Sequence, residues 1–129
     1  MPTVAEIMAA SAKEAMKLTR KYLVVELNYS EQSLEELERV IDDYRIAIPD
    51  GDNPETLLRL ARVWGAYLGE VIRRQLGGAW IEADEVPGEA AAMQLGERTI
   101  QPLAQARSRL DAGKQHNLWE FYQSLRARS

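Results

Sequence analysis

Cysteine is absent from the 129-residue chain and histidine occurs once. The first absence excludes disulfides, thiolate metal ligands and cysteine nucleophiles, and it fits a reducing compartment. The second leaves a zinc site with one imidazole and carboxylates only, so neither a metal nor another cofactor is expected. Long apolar runs are missing too. None approaches the ~20 residues that a membrane-spanning helix needs, and no secretory leader is read ahead of the charged first helix. Basic residues are the minority, 16 Lys and Arg against 20 Asp and Glu, for a net charge of −4. A general nucleic-acid coat needs the opposite balance, because its affinity for phosphates comes from cationic groups. The chain therefore reads as soluble, acidic and cytoplasmic, with neither a membrane nor nucleic acid as a direct partner.

What remains is ordinary globular material: 46% hydrophobic and 28% charged residues, with a length that suits one domain over residues 1–129. Thr3 with Glu6 has the spacing of a capping box. Val4, Met8, Ala15, Leu18, Tyr22 and Val25 then recur at helical steps, predicting a helix from Val4 to about Leu27. A second helix opens near Ser30 or Ser33, with Ser33 and Glu36 spaced as another capping pair, turns Leu34, Leu37, Ile41 and Tyr44 inward and ends before Pro49. Asn53-Pro54 is the clearest helix start. Leu57, Leu58, Ala61, Trp64, Leu68, Val71, Ile72 and Leu76 trace that helix's buried face, and Gly77-Gly78 ends it.

The texture then changes. Ala79 to Glu82 reads as a short strand, and Val86-Pro87-Gly88 as a turn. Ala91 to Leu95 and Thr99 to Gln101 pair as a hairpin around Gly96-Glu97. Pro102 starts a helix that Gly113 ends, and Asn117 with Glu120 caps a last helix bearing Leu118, Trp119, Tyr122 and Leu125. The expected fold is α+β and predominantly α-helical: a helical N-terminal half, a small β-meander and C-terminal helices.

Chemistry-bearing groups are sparse. His116 lies in a polar linker with no activated nucleophile in view, and reads as a solvated loop histidine. Gly77-Gly78 follows a helix rather than preceding one, so it is no phosphate loop. Ala61, Gly65 and Gly69 form a small-residue ridge. Each glycine inside a helix costs roughly 1 kcal/mol relative to alanine, which calls for close approach of another backbone, helix 1 or the hairpin, or else of a ligand. Glu70, beside Tyr67, Arg73 and Trp80, is either a polar anchor of the core or part of a small ligand-binding or catalytic pocket.

Charge placement says more than net charge. Between Glu31 and Glu55 nine acidic residues stand against Arg39 and Arg45, a local balance of −7. Such a run is either a solvated helix face or a docking surface that attracts a basic partner. On the second reading the contact residues are Glu35, Glu38, Asp42, Asp43, Asp50 and Asp52. Metal binding by Asp50-Gly51-Asp52 is a poorer reading, since a calcium loop needs further ligands at fixed offsets.

The second half, from Leu57 to Leu125, resembles a group of small bacterial proteins that share an uncharacterised domain. The likeness is carried by Gly65, Tyr67, Gly69 and Glu70, then Gly77, Gly78 and Trp80, then Ile100, Pro102, Arg109 and Gly113, and finally Phe121 and Tyr122. These are mostly glycines, turn residues and aromatics, so the resemblance implies a fold more than an activity. In size, acidity and helix content the chain is also similar to bacterial immunity proteins, which neutralise a toxin by binding it. The expectation is a non-catalytic protein-binding module whose carboxylates occlude a toxin's cationic active site. The alternatives are the pocket around Tyr67, Glu70, Arg73 and Trp80, and a homodimeric helical scaffold.

Overall fold

The computed structural model describes residues 2–48, 51–82 and 91–127, the side chains of Tyr22, Leu23, Glu82 and Lys114 excepted. The expected turn at Val86-Pro87-Gly88 and the acidic residue Asp50 lie outside the described residues.

Helix α1 (Val4–Leu23) opens with the capping box, Glu6 N–H donating to Thr3 Oγ1 at 3.1 Å and Thr3 N–H to Glu6 Oε1 at 3.2 Å. It stops four residues before the expected Leu27. Val24 turns into the left-handed region at φ +55°, and the following N–H of Val25 closes on the Thr19 carbonyl. Helix α2 (Ser33–Ala47) begins at the later of the two expected starts, but Ser33 is its first helical residue, not its cap. Ser30 Oγ accepts the Ser33 N–H at 3.1 Å instead, and the Ser33 hydroxyl turns inward. Helix α3 (Pro54–Leu76) begins as read, with Asn53 Oδ1 accepting the Thr56 N–H at 2.8 Å, and ends at Gly77 with φ +86°.

Strands β1 (Ala79–Glu82), β2 (Ala91–Leu95) and β3 (Arg98–Ile100) form an antiparallel sheet in that order. Its register places Trp80, Met93 and Ile100 in one buried row across the strands. Gly96, with φ +62°, starts the two-residue β2–β3 turn. Helix α4 (Pro102–Ala112), a single 3₁₀ turn (Lys114–His116) and helix α5 (Leu118–Ala127) follow. Asn117 caps α5, accepting the Glu120 N–H at 3.0 Å. The architecture is α+β with helix predominant, as the pattern predicts. Among the described residues, no helix is long and apolar enough to cross a membrane.

Helix α3 is the axis of the molecule. Helices α1 and α4 pack on it, and every residue from Val63 to Ile72 is buried. Leu58, expected on the inward face, is 59% exposed, because the first turn of α3 reaches past the packed layer. The glycine ridge works by close approach, though with other partners than expected. A Cβ on Gly65 would lie 2.6 Å from Leu103 Cα, so α4 crosses α3 in backbone contact. A Cβ on Gly69 would run into the indole of Trp80 in β1. Neither α1 nor the β2–β3 hairpin occupies these two positions.

Candidate functional site

The acidic helix α2 divides its carboxylates between inside and outside. Glu35 and Asp43 stand exposed on an outer stripe with Gln32, Arg39 and Ile46. Neither carboxylate has an ion-pair partner among the described residues. Eight residues of helix separate them by about 12 Å.

Glu38 is not on that surface. It follows the inward stripe of Leu34, Leu37 and Ile41 and is 7% exposed. Its Oε1 accepts Arg109 Nε at 2.9 Å and Asn117 Nδ2 at 2.7 Å, while its Oε2 accepts the Leu118 N–H at 2.8 Å. One carboxylate thus joins α2 to α4 and caps the first turn of α5, where an anion is favoured by the unpaired N–H groups. Arg109 is fully buried, and its Nη2 also donates to Asp42 Oδ1 at 2.6 Å. As docking residues Glu38 and Asp42 are therefore corrected: Glu38 is internal, and the half-buried Asp42 is committed to Arg109. Glu31 serves in the same way. It accepts the Tyr122 hydroxyl at 2.5 Å and Arg126 Nη1 at 2.9 Å, and those two bonds, Tyr122 foremost, hold its carboxyl below the usual range.

Asp52 differs from these. Its Oδ2 accepts the Tyr44 hydroxyl at 2.5 Å and its Oδ1 the Asn53 N–H at 2.8 Å. Both donors are neutral, and they lower its pKa, Tyr44 contributing most. No cation neutralises Asp52 among the described residues. Burial, and then the bond to Asp52, push Tyr44 up to about 12. Asp52 and Tyr44 line a cleft of about 720 Å³ between the C-terminal ends of α2 and α4, whose walls include Asp42, Arg45, Ile46, Leu57, Leu110 and Asp111.

None of the alternative site's residues, Tyr67, Glu70, Arg73 and Trp80, lines this cleft. Glu70 is 1% exposed. Arg73 Nε and Nη2 donate to its two oxygens at 2.8 and 3.1 Å, and Trp80 Nε1 donates to Oε2 at 3.0 Å. Burial alone would raise the Glu70 pKa, but the bonds from Arg73 and Trp80 outweigh it and leave the group lowered. It is an ionised anchor, with its lone pairs aimed at fixed donors. Tyr67 belongs to a different network. Its hydroxyl accepts the Tyr29 N–H at 2.9 Å and meets Ser33 Oγ at 2.5 Å. Because Ser33 Oγ also donates to the Ser30 carbonyl at 2.6 Å, the shared proton comes from Tyr67. Tyr29, at φ +64°, stacks on Tyr67 with Arg74 over its other face. This network pins the α1–α2 connection to α3.

The cleft and the Glu38–Arg109 pair were missed from the sequence as sites, although one signal was available. Arg109 shares the inward spacing of Ala106 and Leu110, as Glu38 shares that of Leu34 and Ile41. Opposite charges on two apolar stripes mark a candidate internal pair. Among the described residues no group of three or more His, Asp or Glu side chains is arranged to hold a metal ion. No family model, curated protein or solved structure matches the chain.

Proposed function

We propose that the chain is a non-catalytic protein-binding module that docks its α2 face onto a basic surface of a protein partner, in the manner of an immunity protein covering a toxin's cationic active site. The observation that carries this reading is the sorting of the α2 carboxylates. Those the fold needs are turned inward to Arg109, while Glu35 and Asp43 are left outward, without an ion pair among the described residues, and lead to the acid-rich cleft at the end of the helix. Exposed charge of one sign speeds encounter with an oppositely charged partner and sets orientation. Exposed Ile46 supplies an apolar contact at the same end.

The test is affinity capture from the source cells with the purified wild type and a Glu35→Lys/Asp43→Lys variant. Both substitutions are on the exposed stripe, so folding stability is expected to change by less than about 1 kcal/mol. Loss of a captured protein with the melting curve unchanged supports the reading, whereas equal capture by both forms overturns it. If the captured species is a second copy of the chain, the homodimeric scaffold replaces it.

A further inference from the structure

We infer that the cleft between the C-terminal ends of α2 and α4 receives a lysine or arginine side chain of the protein partner, anchored on Asp52. This rests on the docking reading above and deepens it by naming the group that is recognised.

Three features select a cation. Helix C-termini carry the negative end of the helix dipole and leave their last carbonyls without helical partners. Here two such ends meet: Ile46 and Ile48 come from the close of α2, and Leu110 and Asp111 from the close of α4. Second, the described lining of the cleft holds three carboxylates, Asp42, Asp52 and Asp111, and one guanidinium, that of Arg45, which is held at the α4 end, where a Cβ on Gly113 would lie 2.6 Å from its Nη1. Arg109 and Arg107 already offset Asp42 and Asp111. Among the described residues Asp52 is left with neutral donors alone, and Arg45, held at the α4 end, is the one lining cation not already paired with a carboxylate. Third, the Tyr44 hydroxyl is spent on Asp52, and its ring, packed edge-on with Trp64 at 5.9 Å, adds an aromatic group to the cleft wall.

The apolar lining fits the rest of such a side chain. Ile46, Leu57 and Leu110 offer contact to an aliphatic stem while its charged head reaches Asp52, as long cationic side chains do at apolar boundaries. A volume near 720 Å³ exceeds one side chain, so residues flanking the basic one enter as well.

The experiment uses the full chain and three probes, n-butylguanidinium, pentanoate and 1-pentanol, titrated by two-dimensional NMR. Saturable shifts at Ile48, Gly51, Leu57 and Leu110 with n-butylguanidinium, and none with the other two, are expected. Asp52→Asn, which keeps an acceptor for Tyr44, should weaken that binding about fivefold, and Asp111→Lys, at an exposed position, should weaken it as well. Equal response to 1-pentanol, or unchanged affinity in both variants, overturns the inference. A second arm repeats the capture from cells with Asp52→Asn: retention of the partner should fall about fivefold, and full retention overturns the cleft as its contact. The probe titrations need no partner, so a failed Glu35→Lys/Asp43→Lys test and a failed cleft test are told apart.

Discussion

Glu38 and Arg109 are 71 positions apart in the chain and meet at 2.9 Å in the interior, with the Leu118 N–H and Asn117 bound to the same carboxylate. The pair is the polar seam along which α4 and α5 join α2. A buried pair of this kind adds little over an apolar replacement of both partners, yet losing one partner leaves a charge stranded.

Glu38→Gln leaves Arg109 paired with Asp42 but weakens the charge-assisted bonds to Arg109 and to the Leu118 N–H, so a cost of about 1–3 kcal/mol is expected, read from equilibrium urea unfolding. Glu35→Gln, three residues earlier on the exposed stripe, should change stability by less than about 0.5 kcal/mol. Similar losses in the two variants would contradict the division of α2 into inner and outer acids.

Gly65→Ala tests the crossing of α3 and α4. Helix propensity alone favours alanine by roughly 1 kcal/mol. The new methyl would sit 2.6 Å from Leu103 Cα, a contact that backbone cannot relieve cheaply. The expected net result is a loss of about 1–3 kcal/mol, and a gain in melting temperature would show that α4 can move away.

Acid stability should depend on Glu70. Its folded pKa lies below the ordinary 4.5, so as pH falls through 4.5 the unfolded chain takes up the proton first and stability declines. Glu70→Gln should lower stability near pH 7 and flatten its fall below pH 4.5. Glu31 and Asp52, also lowered, preserve part of the slope. An unchanged acid limb would contradict the anchor role.

Tyr44 acts at the opposite extreme. Its folded pKa is raised from 10.0 to about 12, so between those values the unfolded chain loses the proton first and stability falls as pH rises. Tyr44→Phe should cost about 1 kcal/mol at neutral pH for the lost hydrogen bond and make the alkaline limb shallower. Denaturation curves at several pH values between 9 and about 12 would show it.

Val24 offers a gain. It is 89% exposed at φ +55°, a conformation that β-branched residues rarely adopt. Val24→Gly removes the strain of the helix end and should stabilise by up to about 1 kcal/mol, measured as a rise in melting temperature. A loss would mean that the valine side chain contributes contacts worth more than the strain.

The same residue shows where sequence reading works and where it stops. Helix α3 was legible at both ends because Asn53-Pro54 and Gly77 are chemical punctuation. The end of α1 was not, since Val24 and Val25 continue an apolar pattern and nothing local announces a left-handed turn. The sheet was legible apart from a one-residue shift at β3, because Gly96 fixes the turn. The spacing of Glu70 to Arg73 and Trp80 announced an anchor or a pocket, and the geometry places the carboxylate among fixed donors. The charge run of α2 was visible as a count but not as a surface. Whether an acid faces in or out depends on a cation seventy residues away, which composition does not reveal.

The seam at Glu38 also bears on how the molecule comes apart. Guanidinium ions carry the head group of Arg109 and compete for the same carboxylate, whereas urea is neutral and does not. The two denaturants should rank the molecule's parts differently, with α2 separating from α4 and α5 early in guanidinium chloride while the layer of α1, α3 and α4 persists.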